Sequence, residues 1–384
     1  MDLSDAADLH KLTSDYVQMI INAICFLLGL PVNLLAFRKL LKRFRRTENR
    51  MLLLHLNLNI SDIFVLIFYC VGRFVWIQTY EWHGGHSLCV IMRFMEQFSF
   101  AISSNVMVCI ALDRLYSLIK PLQAPIFSMR FVPVMLTVAW ALAAVTSSPQ
   151  LFVWQVLTVF DVTSGHSFTQ CLSTWVVSSL EQNSTADTHE QSVAYVIYEI
   201  YHLLTLFWIP VIILFCSYTL ILHKIYESSA PSSSTSMRFT RRNSTVETEL
   251  HKNGFEHSSS NTPQQQPQPR LVLRRIGGNE RVQRNRMKMI RVTLILMAVY
   301  ILCWLPYNSL AWWSIIGRES YRRYEDTFYV LHGLILINSV VNPFIYARQS
   351  LRPWRLWRSC VKRPLGSEAT TVRGNSRYSA VKLG

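Results

Sequence analysis

Charge is what this chain has least of. Asp, Glu, Lys and Arg make up 16% of its 384 residues, 51% are hydrophobic, and the mean hydropathy is +0.21. An ordinary soluble domain carries about 25% charge, so that class is excluded. The marks of intramembrane or serine hydrolysis are missing too: no HExxH, no GxSxG and no paired Asp on neighbouring apolar runs. No enzyme is expected. There is no internal repeat, which argues against transporters built from duplicated halves. Lys is absent from the last apolar run, so a retinal Schiff base cannot form there. The opening "MDLSDAADLH" has no basic stretch, so the first apolar run is expected to act as its own insertion signal.

What the chain does have is long apolar runs. The first, Tyr16–Phe37, would reach roughly 33 Å as a helix, enough for a bilayer core of about 30 Å. Others lie near Met51–Trp76, Leu88–Ile119, Phe131–Trp154, Ser192–His223, Met289–Ile316 and Thr327–Ala347. Seven runs predict an all-α membrane protein, a seven-transmembrane helix bundle. Several carry Pro (Pro31, Pro149, Pro210, Pro306, Pro343), which membrane helices tolerate better than soluble ones.

Charge orients the bundle. The segment "RKLLKRFRRTENR" after the first run holds seven Lys/Arg and one acid. The segments after the fifth and seventh runs are basic as well. The first fifteen residues instead hold four Asp and one Lys. The positive-inside rule puts the N-terminus outside and the C-terminus inside. The formal charge of +15 then belongs to a cytoplasmic face turned toward anionic lipid, not to a nucleic-acid fold.

This divides the chain into an extracellular N-terminus (1–15), a membrane domain (16–348), an amphipathic helix (349–362) and a cytoplasmic tail (363–384). The domain carries an inserted cytoplasmic loop, about 228–275, whose "SSAPSSSTS" and "SSSNTPQQQPQPR" cannot bury a core and predict disorder. In "RQSLRPWRLWRSCVKR", Leu351, Trp354 and Trp357 alternate with Arg, as a helix lying on the inner leaflet would. Cys360 at its end is a palmitoylation candidate, with a plain free cysteine as the alternative.

Of eight Cys, only Cys89 and Cys171 fall on the outer, oxidising side, so each has the other as its available partner. His83, His86 and Cys89 in "HGGHSLC" have metal-like spacing, but a loop is preferred because Cys89 is committed to the disulfide.

The internal motifs resemble those of the rhodopsin-like G-protein-coupled receptors, from Tyr16 to about Cys360. They are Asn33 in "GLPVNLL", Asn57 and Asp62 in "LNLNISD", and Arg114 in "DRL", 25 residues after Cys89. Trp140, Pro210 with Tyr218, "CWLPY" (Cys303–Tyr307) and "NPFIY" (Asn342–Tyr346) complete the series. Each motif is weak alone; their joint order and spacing is specific. "SPQLFVW", "SFTQC" and "WHGGHSLC" are similar to segments of the gonadotropin-releasing-hormone, adipokinetic-hormone and vasopressin/oxytocin receptors.

The resemblance implies sites. Asp62 lies mid-span, where an acid is a functional candidate by default. Ser103, Trp304, Asn338 and Asn342 would surround it as the family's sodium pocket. The alternative is a protonated Asp held in the core. Tyr300, Trp304 and Pro306 mark the bend of span six. An outer ligand cavity would draw on Arg73, Trp76, Arg93, Glu96, Gln97, Gln150, Tyr307, Asn308 and His332. For any one of these, contact between helices is an equal reading. Glu96 would favour a cationic feature on the ligand. Asp113, Arg114, Tyr218 and Tyr346 would form the G-protein switch, Asp113 holding Arg114 at rest. Where an acid can lock that arginine from the base of span six, this chain has Arg286, so appreciable basal activity is expected.

Asn183-Ser184-Thr185 is a glycosylation sequon in the outer loop. The "RRNS" context makes Ser244 a kinase site, and the tail Ser/Thr would let receptor kinases recruit arrestin. The expected function is a plasma-membrane receptor for a neuropeptide or peptide hormone, coupled to a heterotrimeric G protein of Gq type. A small lipophilic signal or pheromone is the alternative ligand, and a transporter or channel the distant alternative.

Overall fold

The structure, a computed structural model, describes residues 13–79, 81–120, 124–160, 167–181, 188–229 and 270–350. Asn183, Ser244, Cys360, the amphipathic helix beyond Ser350 and the tail lie outside the described residues, as do residues 1–12 and 230–269.

Among the described residues, six helices are long and apolar enough to cross a membrane: Ser14–Thr47, Arg50–Thr79, Gly85–Ile119, Arg130–Val153, Val193–Glu227 and Met287–Ile316. A shorter apolar helix, Val330–Tyr346, follows. These are spans one to seven. Helix is the natural outcome for an isolated apolar run in lipid, because it satisfies every backbone N–H and C=O within the segment. Span three is the axis, with 72% of its apolar window buried against 28% in span one. The outer face of span one shows the reverse pattern. Ile20, Ile24, Leu27 and Leu28 recur at helical spacing and are exposed, which suits acyl chains rather than water.

Local chemistry sets the joints. Asn49 caps span two, its side chain accepting from the Met51 N–H at 2.9 Å. Gly85, with φ of 68°, opens span three in a conformation that side chains disfavour. Span six runs unbroken with the helix Arg270–Ile316, so helix begins inside the stretch expected to be loop. Side chains through Arg286 lie outside the described ones.

A proline inside a helix leaves a carbonyl without its donor, and at Pro210 and Pro343 another span serves it. Pro210 cannot donate to Leu206, four residues back, and the Tyr300 hydroxyl of span six donates there at 2.8 Å. A π-helical turn, Leu204–Trp208, precedes this proline. Pro343 cannot donate to Ser339, and the Asn33 amide of span one does so at 3.1 Å. The Trp140 indole donates to Asn57 at 3.0 Å, tying span four to span two. Such interhelical bonds are worth about 1 kcal/mol each.

Between spans four and five lies a hairpin, β1 (Trp154–Phe160) paired antiparallel with β2 (Ser167–Ser173) in the register Trp154↔Ser173 to Phe160↔Ser167. The Cys89–Cys171 disulfide pins β2 to the start of span three. Trp82 N–H donates to the Thr169 carbonyl at 2.7 Å, and Trp76 Nε1 to Gln170 at 3.2 Å. The strands are held from two sides, so the hairpin is a fixed part of that end of the bundle.

Candidate functional site

At the disulfide end, spans two to seven and the hairpin enclose a cavity of about 280 Å³. Arg73, Arg93, Glu96, Gln97, Gln150, Tyr307 and His332 all line it, as their positions on the spans implied. Trp76 sits in an adjoining side pocket with Arg73, Arg93 and Glu96. The Arg73 guanidinium lies 4.7 Å from the Trp76 ring centre. Asn308 does not line the cavity: it is fully buried and donates to the Trp304 carbonyl at 3.0 Å. One residue turns a helix by about 100°, so Tyr307 faces the cavity and its neighbour does not.

The charges are unevenly matched. Arg93 pairs with Glu96 at 3.0 Å, one helical turn apart, and stacks 4.3 Å from the Trp154 ring centre. Glu96, expected to favour a cationic feature on the ligand, already has a countercharge on its own helix. Gln150 is likewise engaged, accepting from Trp154 Nε1 at 2.5 Å.

Eight lining residues were not singled out from the sequence: Tyr69, Phe100, Trp154, Tyr198, Glu199, His202, Leu206 and Ile335. A signal for three of them was present. The segment "YEIYH" (Tyr198–His202) puts an acid and a histidine inside an apolar run, where each is costly.

The floor is aromatic. Trp304 lines the cavity and touches Phe100, Tyr300 and Tyr307, with ring centres 5.2, 5.9 and 6.2 Å apart. Tyr300, beneath it, meets Ser104 of span three at 3.0 Å as well as the Leu206 carbonyl of span five. A group pressing on Trp304 therefore meets Tyr300, a phenol that joins spans three, five and six.

At mid-depth, Asp62 is fully buried and accepts from Asn342 Nδ2 at 3.0 and 3.2 Å. Ser103 Oγ, Asn338 Oδ1 and Asn342 Oδ1 are buried without hydrogen-bond partners. One carboxylate with hydroxyl and amide oxygens is the donor chemistry of a hard monovalent cation. The residues present fit such an ion.

At the opposite end, Asp113 and Arg114 are both buried and paired. Asp113 has a second cation: Arg50 Nε of span two lies 3.5 Å from its other oxygen, and Arg50 Nη2 donates to Ser117 at 2.8 Å. Tyr218 is buried nearby, within the electrostatic reach of Arg114. Tyr346 makes its contacts with span two. Its hydroxyl accepts from Asn59 at 2.8 Å, and its ring stacks on His55 with centres 5.2 Å apart. Asn59 in turn reaches Asn33 at 2.6 Å. Spans one, two and seven are thus joined through one amide. Neither Arg50 nor Asn59 was marked in the sequence, because their partners lie on other helices.

A family model described as 7 transmembrane receptor (rhodopsin family) matches residues 32–346. The chain is similar to the G-protein coupled receptor daf-38 of Caenorhabditis elegans. The two are 33% identical over 375 residues, covering 88% of this chain and 89% of the relative. It is also similar to the gonadotropin-releasing hormone receptor of Octopus vulgaris, 27% identical over 312 residues, 79% of this chain and 64% of that one. Against the vasopressin V1b receptor of Mus musculus it is 24% identical over 303 residues, 78% of this chain and 64% of the other. The chain spans just under two thirds of the length of those two hormone receptors.

Proposed function

The chain belongs to the rhodopsin family of seven-transmembrane receptors, and from that premise we propose that it binds an extracellular peptide in the cavity at its disulfide end. It is a multi-pass membrane G-protein-coupled receptor and not an enzyme. In the proposed reading it sits in the plasma membrane with its N-terminus outside. The ligand is a neuropeptide or peptide hormone, and the transducer is of Gq type. The observation that carries the peptide reading is the cavity lining: both signs of charge, two glutamines and two histidines over an aromatic floor. Such a wall offers donors and acceptors to a peptide's many backbone groups and side chains. The hormones named for the octopus and mouse relatives support the same class.

The proposed sequence of events starts at Trp304. A ligand that binds more tightly when Trp304 has shifted moves the equilibrium by that difference alone. Span six bends at Pro306 and its inner half swings away. Arg114 leaves Asp113, and the opened inner face takes the G protein. Sodium at Asp62, with Ser103, Asn338 and Asn342 as further oxygens, would favour the resting arrangement. Receptor kinases acting on the tail would recruit arrestin, and the basic inner face would rest on anionic lipid.

The test is expression in cells carrying calcium and cyclic-AMP reporters, challenged with neuropeptide and small-molecule panels. A calcium response to a peptide supports the reading. Responses confined to lipophilic molecules would replace the ligand class, and a cyclic-AMP response alone would replace the G protein.

A further inference from the structure

The cavity wall holds two carboxylates, and they differ. Glu96 is neutralised by Arg93 at 3.0 Å. Glu199 on span five, half-buried, makes no ion pair or hydrogen bond among the described residues. Arg318, which shares its influence over Tyr195, is not within ion-pairing distance of it. Around Glu199 stand phenols: Tyr195, Tyr198 and Tyr307 all lie within its electrostatic reach, and His202 follows one turn later on the same helix.

An unpaired carboxylate in a half-enclosed wall is costly, since it has given up part of its water and gained no cation. Aromatic rings share this wall, and an aromatic ring adds to the attraction for a cation. The same space offers an apolar and aromatic surface, Phe100, Leu206, Trp304 and Tyr307, and its arginines, Arg73 and Arg93, come from spans two and three rather than from span five.

We infer that Glu199 is the anchor for a protonated amine or guanidinium on the ligand, whose aromatic or aliphatic part settles on the Trp304–Phe100 floor. The inference rests on the cavity being the ligand site, as proposed above. Two sources share this chemistry: a basic side chain or amino terminus of a peptide, and a small arylalkyl amine. The geometry puts the cation against span five and the apolar part against span six, so one molecule would bridge two of the helices that Tyr300 joins.

The experiment measures binding by thermal shift and titration on the purified full-length receptor. The probes are short peptide amides placing Arg or Lys beside Phe or Trp, together with arylalkyl amines and guanidines. Each is paired with an uncharged isostere such as citrulline, norleucine or the alcohol. The expected result is a preference of about ten- to a hundredfold for the charged member, the range for a charge-assisted hydrogen bond. Glu199→Gln should abolish that preference while its ligand-free melting temperature shows that it folds, and Glu199→Asp should restore part of it. Equal binding of charged and neutral members, a preference that survives in Glu199→Gln, or no binding by any probe would overturn the anchor. Glu199-dependent binding of the amines without any peptide would overturn the peptide reading and leave the anchor standing. A peptide binding equally well when neutralised would do the opposite.

Discussion

The two ends of the bundle, inner and outer in the proposed orientation, treat charge in opposite ways. At the inner end, Asp113 is shared between Arg114 and Arg50, and Arg50 also holds Ser117. At the outer end, the Arg93–Glu96 pair faces a cavity in which Glu199 is left over. A buried ion pair is little evidence of stability, because desolvation offsets much of the attraction. It is better read as a latch, since separating the partners is what costs energy. In the proposed reading, the inner end is latched against the G-protein event that occurs there. In the same reading, the outer end keeps capacity for a cationic group on the ligand.

The strongest way to break this comparison is Arg114→Ala. G-protein signalling should vanish while surface expression and ligand binding persist. Reporter assays normalised to surface label would check it, and undiminished signalling would mean that the latch is not the switch. At the outer end, Cys89→Ser or Cys171→Ser frees β2 from span three and should cost about 2–5 kcal/mol of stability. Surface expression or ligand binding should fall for each, and thiol labelling of the parent protein would expose a pair that is not bonded.

Arg50→Gln sharpens the comparison. Once Arg114 leaves, Arg50 still stands beside the buried Asp113. The substitution should penalise the active arrangement more than the resting one and lower ligand-free signalling per receptor by about three- to tenfold. An empty-vector control sets the baseline, and a rise in signalling would show that Arg50 works instead for the resting state. The basal activity expected from Arg286 enters the same assay, although that side chain lies outside the described ones. Trp140→Phe should have the smallest effect. It removes one bond to Asn57 between the ends, for about 1 kcal/mol and a melting shift of a few degrees. A change in the signalling ratio of that variant would mean that the contact is not merely structural.

Much of the fold was legible because membrane burial writes itself in long runs. The periods of apolar sequence marked seven spans, and topology left Cys89 and Cys171 to each other. The motif residues were legible one by one. What Asn33, Tyr300 and Arg50 do was less so. Each acts on a group in another helix, and the distance along the chain carries no trace of which carbonyl or carboxylate that is. Asn308 shows the limit for the ligand cavity: a polar residue next to a lining residue points elsewhere because a helix turns about 100° per step. Glu199 shows the converse. Its cost in an apolar run was visible in "YEIYH", but whether a cation neutralised it depended on its neighbours in space.

The chain by itself thus determined that there are seven membrane spans and which side of the bundle is basic. It also determined which residues are too polar for lipid. Transfer between water and hydrocarbon acts on each segment separately, so the sequence alone can express it. Only the tertiary structure decided which polar groups satisfy one another. It gave Glu96 to Arg93 and Asp113 to two arginines, and it left Glu199 without a partner among the described residues. A charge in low dielectric is set by what stands within a few ångströms, and that is fixed only when the helices pack.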